Sequence, residues 1–151
     1  MKKAIVVYDS KFGNTEKVAK ALASGMEGEG EGVEVDCVKV EDVEIYRLTG
    51  YDLVAVGGPT QMFRMSGPVK SFLQRLEGVG MIGKKAFAFD TKLRSRFAGS
   101  AANGIEKRLR RLGMSIVRPH ASAIVKESEG PLEEGAEDMF RQIGAGIARS
   151  K

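Results

Sequence analysis

Ala4-Ile5-Val6-Val7-Tyr8, the polar turn Ser10-Lys11-Phe12-Gly13-Asn14-Thr15 and the helix-like stretch Glu16 to Met26 read in succession as strand, anion-holding loop and helix. A strand that feeds straight into a helix leaves the first backbone N–H groups of that helix unpaired, and the helix dipole favours negative charge there. Ser10 and Thr15 add hydroxyls, Asn14 adds an amide, and Gly13 supplies the positive φ or close backbone approach that such a nest needs. The loop lacks the Gly-Lys-Ser/Thr ending of a nucleoside-triphosphate loop and the three spaced glycines of a dinucleotide loop, which leaves a mononucleotide phosphate as the natural candidate. A plain helix N-cap, with Asn14 or Thr15 capping and Gly13 turning, accounts for the same residues and stays open at this point.

Outward from this unit, strand and helix alternate. Ala4 to Tyr8, Val33 to Val40, Leu53 to Val56, Lys85 to Phe89 and Ala121 to Val125 read as strands, several of them unbroken apolar runs suited to a sheet covered on both faces. Helical spacing places Val18, Leu22 and Met26 on one stripe, and Val69, Phe72, Leu73 and Leu76 on a second. Ile105, Leu109 and Leu112 form a third, and Ala136, Phe140, Ile143 and Ile147 a fourth. Each reads as core. Asp42 to Leu48 is too short for more than a turn or two, and the tract Gly25 to Gly32 is expected to end the first helix. Five βα units of this kind predict an α/β fold with a parallel, right-handed, doubly wound sheet, whose ligand lies outside the carboxyl ends of the strands.

A chain of 151 residues, 42% apolar and 29% charged, fits a single domain over 1–151 with a proper core. Its longest apolar runs are only strand-length, so neither a membrane span nor a signal peptide is expected, and the reading is cytoplasmic. Cys37, the one cysteine, reads as strand core. His120, the one histidine, reads as a surface or cap residue, and no cluster with zinc-site spacing exists. The helix around Arg108, Arg110 and Arg111 reads as a solvated face rather than a nucleic-acid contact, for want of interleaved stacking aromatics.

Two further loops belong to the same end of the sheet. Gly57 to Pro68 carries Pro59, Thr60, Gln61, Met62, Phe63 and Arg64, and Asp90 to Ser100 carries Thr91, Lys92, Leu93, Arg94 and Phe97. In a doubly wound fold these converge with the phosphate nest around one flat, polar-edged ligand, and FMN meets that description.

With these loops in place, the chain resembles the short-chain flavodoxins and their close flavodoxin-like relatives. Tyr8 to Thr15 followed by Lys17-Val18-Ala19 is similar to the family's phosphate loop and first helix. Gly57-Gly58-Pro59-Thr60 with Ser66-Gly67-Pro68-Val69-Lys70-Ser71-Phe72-Leu73 resembles its second flavin loop, and Ala98-Gly99-Ser100-Ala101-Ala102 its third. Glu129-Gly130-Pro131-Leu132 stands where the last helix opens, and no long insertion interrupts the fifth strand. The resemblance implies a three-layer, flavodoxin-like, five-stranded parallel sheet in the order 2-1-3-4-5, FMN as cofactor and one-electron transfer between redox partner proteins by a monomer or weak dimer. It places Ser10, Gly13, Asn14 and Thr15 on the phosphate, with Lys11 and Phe12 among the cofactor-binding residues of the same loop. Pro59 to Arg64 and Asp90 to Arg94 fall against the ring and ribityl chain, and Phe97 lies near the place of the family's stacking tyrosine, which a shifted alignment gives to Arg96 or Leu93.

The chain also departs from that family. Phe12 stands where a hydroxyl residue is usual, a change shared with the quinone-reductase branch, and there is no tryptophan at all. Flavodoxins are usually acidic, whereas this chain has a net charge of +4 and a pI near 9.2. Lys11, Lys92, Arg94, Arg96 and Arg64 are expected to make the mouth positive, which suits partners with acidic docking surfaces or an anionic second ligand such as a nicotinamide-dinucleotide phosphate, and equally fits a solvated basic surface. An FMN-dependent NAD(P)H:quinone oxidoreductase and a flavin-free binding module are the alternatives. A phosphorelay receiver is rejected, because Gly57-Gly58-Pro59 stands where a phosphoacceptor aspartate is needed. The lack of sequence beyond the minimal fold favours the carrier over the reductase.

Overall fold

The structure, a computed structural model, describes residues 1–29, 32–95 and 97–150. The elements are β1 (Lys3–Tyr8), α1 (Asn14–Glu29), β2 (Glu34–Lys39), β3 (Leu53–Gln61), β4 (Arg64–Met65), α2 (Gly67–Leu76), β5 (Lys85–Leu93), α3 (Ala101–Arg111), β6 (Ser115–Ile116), β7 (Ala121–Val125) and α4 (Ala136–Arg149). Two short 3-10 turns, Val40–Asp42 and Ile45–Gly50, stand where a helix would follow β2, as the brevity of that segment requires.

The sheet runs β2-β1-β3-β5, and both β6 and β7 pair with β5. β6 takes the first two residues of β5 and β7 takes Phe89 to Leu93, so together they fill the fifth position. These pairings are all parallel, and the expected order holds once β4, a short antiparallel partner of β3, is set aside.

The pleat sorts alternate side chains into two cores. Ile5, Val7, Val54, Val56, Ala86 and Ala88 pack with Phe72, Leu73 and Leu76 of α2 and Ile105 and Leu109 of α3. Ala4, Val6, Tyr8, Ala55, Phe87 and Phe89 pack with Leu22 and Met26 of α1 and Phe140, Ile143 and Ile147 of α4. Three layers result, with the carboxyl ends of the parallel strands directed to one edge.

Two local expectations are corrected. β3 runs on to Gln61 and β5 to Leu93, well past Val56 and Phe89. Gly57 and Gly58 resemble turn residues, but a Cβ on Gly57 would lie 2.2 Å from the Phe89 ring and one on Gly58 2.7 Å from Val69. Space for neighbours, rather than a turn, explains both glycines. The first helix ends within the tract Gly25 to Gly32, as expected, but only at Glu29, so Gly25 is helical. A Cβ there would lie 2.0 Å from the Arg141 carbonyl oxygen, and one on Gly144 2.2 Å from that of Leu22, so these glycines let α1 and α4 touch backbone to backbone. Gly30 and Glu31 of the same tract lie outside the described residues. No helix among the described residues is long and apolar enough to cross a membrane.

Candidate functional site

A cavity of about 470 Å3 opens at the carboxyl edge of the sheet, within the roughly 300–1,000 Å3 range of small-molecule sites. Lys11, Phe12, Asn14 and Thr15 line it from the first loop, Pro59, Thr60, Gln61 and Met62 from the end of β3, and Thr91, Lys92 and Leu93 from the end of β5. Eleven residues from three distant segments thus meet, as the sequence suggested. Ser10, Gly13, Phe63, Arg64, Asp90, Arg94 and Phe97 are not on the wall.

The first loop is built by its own polar groups. The Ser10 hydroxyl accepts the backbone N–H groups of Gly13 at 3.1 Å and Glu16 at 3.2 Å, so Ser10 rather than Asn14 or Thr15 caps α1. Gly13 has φ +90° and nothing within 4 Å of where a Cβ would sit. Its backbone conformation, not a close approach, therefore calls for glycine. Asn14 Nδ2 donates to the Glu129 carbonyl at 3.0 Å, latching the loop after β7 onto the first loop. Asn14 and Thr15 begin α1, where backbone N–H groups have no intrahelical acceptor and point outward with the positive end of the dipole. Below, the Ser66 hydroxyl donates to Asp9 Oδ2 at 2.6 Å, tying this loop to the entry of α2.

At the far wall, Met62 and Phe63 form a two-residue turn between β3 and β4, with Gln61 opposite Arg64. Both have positive φ, 48° and 73°, a conformation that strains large L side chains. The turn holds two apolar side chains out of the molecule, Met62 85% and Phe63 65% exposed. The Phe63 backbone bridges to Gly99, where a Cβ would come within 2.6 Å of it. The sequence lacked the Asn-Gly signal that marks such hairpins, so this segment read as loop.

The charge at the mouth is smaller than expected. Arg94 is ion-paired with Glu133, from the loop after β7, and together they form a neutral pair. Arg96 lies outside the described residues. Lys11 and Lys92 remain on the cavity wall, Lys11 Nζ 5.3 Å from the Phe12 ring. At the end of β1, burial and the Glu16 carboxylate push the Tyr8 hydroxyl up to about 12, and Lys20 followed by Tyr8 holds Glu16 below the ordinary glutamate range.

Val125 and Ser128 also line the cavity and were missed. The signal was present, since the rule that ligands sit at carboxyl strand ends applies to the fifth strand as to the others. His120 lies elsewhere, its backbone N–H donating to Glu106 Oε1 at 3.0 Å, so a carboxylate faces it from α3 despite none nearby in sequence. Cys37 is half-buried on β2 against the core, and burial pushes its thiol up to about 11.

The site tests well for a phosphate-bearing flavin. It offers a dipole-backed anion end, hydroxyls at Thr15, Thr60 and Thr91, and an apolar rim of Phe12, Met62 and Leu93. A protein-family model described as Flavodoxin matches residues 6–142. The flavodoxin of Maridesulfovibrio salexigens is 30% identical, over 78% of this chain and 82% of its own length. An NAD(P)H dehydrogenase (quinone) of Cupriavidus metallidurans is 28% identical, over 78% of this chain and 70% of its own. Among solved structures, a flavodoxin from the domain Archaea superposes with a TM-score of 0.85 at 29% identity, over 97% of this chain and 96% of that one.

Proposed function

The chain belongs to the flavodoxin family, and from that premise we propose that it binds FMN in this cavity and passes electrons between redox partner proteins. One observation carries the reading. The cavity has an anion-receiving helix start at one end and an exposed apolar hairpin tip at the other, matching a ligand with a phosphate tail and a flat apolar head. FMN, when bound, supplies the redox chemistry. Thr15 and the N–H groups at the start of α1 would hold its phosphate, the Thr91 hydroxyl would back Thr15, and Phe12, Met62 and Leu93 would shield its apolar faces from water. Lys11 and Lys92 give the rim a positive edge, which favours partners whose docking surfaces are acidic and makes association weaken with salt.

The experiment is electron exchange. Loaded with FMN, the protein is expected to accept electrons readily from a separate flavin reductase, and alone with NADH or NADPH and a quinone to turn over slowly. Rapid steady-state NAD(P)H oxidation by the protein alone overturns the carrier reading. That result favours the second reading, an NAD(P)H:quinone oxidoreductase, for which the similarity to the Cupriavidus metallidurans enzyme speaks.

A further inference from the structure

Asp90 is the only charged side chain among the described residues that is fully excluded from solvent. It does not reach the cavity wall, although its chain neighbour Thr91 does. Its donors all converge on one oxygen. Oδ2 accepts from Thr60 Oγ1 at 3.2 Å, Ser100 Oγ at 2.8 Å and the Ala102 N–H at 2.9 Å, while Oδ1 is buried with no partner among the described residues. A buried carboxylate served on one side only is costly, and the dipole at the start of α3 offsets part of that cost.

Capping of α3 alone does not explain the arrangement, because Ser100 already accepts the Asn103 N–H. The contact that capping leaves over is Thr60. Its hydroxyl donates to Asp90 and accepts the Ala101 N–H at 3.0 Å, so it is held from both sides. Thr60 is a wall residue of the cavity and the first paired residue of the hairpin that presents Met62 and Phe63.

We propose that Asp90 is a positioning residue: through Thr60 it fixes the hairpin 60–65 against the start of α3 and so sets the shape of the cavity wall that receives the cofactor. The inference rests on the FMN reading for its ligand and on the hydrogen-bond network for its mechanism. Asp90→Ala removes the shared acceptor and leaves three donors unanswered. Asp90→Asn keeps an oxygen where they converge.

FMN affinity is measured by fluorescence quenching, well below the unfolding temperature, with visible circular dichroism of the bound flavin. Asp90→Ala is expected to bind FMN at least tenfold more weakly with an altered flavin spectrum, and Asp90→Asn to return both to within about threefold of wild type. A purely structural role lowers the melting temperature and leaves affinity and spectrum unchanged, and that result overturns the proposal, as does an Asp90→Asn variant as impaired as Asp90→Ala. If Asp90→Ala does not fold, Ser100→Ala, which removes one donor away from the cavity, is expected to weaken FMN binding three- to tenfold, and unchanged binding overturns the proposal. Amide hydrogen exchange on the apoprotein separates the two claims. Faster exchange at Gln61 to Met65 in Asp90→Ala or Ser100→Ala supports the positioning even if wild type binds no FMN, and unchanged exchange there contradicts it.

Discussion

Thr15 and Thr91 meet across the first loop and the end of β5, Oγ1 to Oγ1 at 2.9 Å, and both line the cavity. Two hydroxyls carry two protons, and their mutual bond consumes one. The other proton is left for an acceptor in the cavity.

Thr15→Ala is therefore expected to weaken FMN binding about ten- to hundredfold, since a hydrogen bond to a charged group contributes roughly 1.5–3 kcal/mol. Thr15→Ser should restore it. Because the two side chains touch, adding Thr91→Ala to Thr15→Ala should cost less than the sum of the single losses. Wild-type affinity in Thr15→Ala, read by fluorescence titration, contradicts the phosphate assignment.

Gly25→Ala tests the contact of α1 with α4. Helix propensity alone favours the change by about 1 kcal/mol. A Cβ placed 2.0 Å from a backbone carbonyl cannot be relieved by a rotamer, so the helices must separate. Overpacking of this kind costs typically about 1–3 kcal/mol, and the melting temperature should fall by several degrees. A raised melting temperature contradicts the packing described.

Asp52, just before β3, accepts the N–H groups of Lys2 at 2.8 Å and Lys3 at 3.0 Å, and these backbone donors hold its carboxyl below the ordinary aspartate range. A carboxyl lowered by folding contributes stability that is fully present above its unfolded value, about 3.9, and is lost as pH falls through the folded value. Asp52→Asn should lower the melting temperature at pH 7 and narrow its difference from wild type in acid. A difference independent of pH rules out this linkage.

The cations at the mouth differ in kind. Lys92 has no ion-pair partner among the described residues, while Arg94 and Glu133 form a neutral pair. A unit charge about 8 Å from a reduced, anionic flavin contributes on the order of 2 kcal/mol at an effective dielectric near 20, roughly 90 mV for a one-electron couple, and solvent reduces this. Lys92→Gln should lower the reduction potential by tens of millivolts, more at low salt. The double variant Arg94→Gln, Glu133→Gln should leave it almost unchanged. A redox titration in which the double variant moves more than Lys92→Gln contradicts this division.

The layers were legible because each apolar stripe has a clean period, as with Val69, Phe72, Leu73 and Leu76. The meeting of three segments at the candidate site was legible because polar, glycine-bearing segments follow three apolar runs. What escaped depends on contacts between distant residues. Gly57 resembles a turn until the Phe89 ring stands beside it, and the reason for glycine at Gly25 is hidden until the Arg141 carbonyl stands against it. Arg94 counts as a free cation until Glu133 arrives from the fifth loop. Asn14 resembles a cap until its amide proves to be spent on Glu129, while Ser10 takes the capping role. Local pattern carries no trace of these partners.

The most direct test of the central claim is titration of the purified apoprotein with FMN, followed by absorbance and fluorescence. The account predicts saturable binding of one FMN per chain with quenched flavin fluorescence, and at least tenfold weaker binding of riboflavin, which lacks the phosphate that the start of α1 receives. No binding, or equal affinity for FMN and riboflavin, contradicts it.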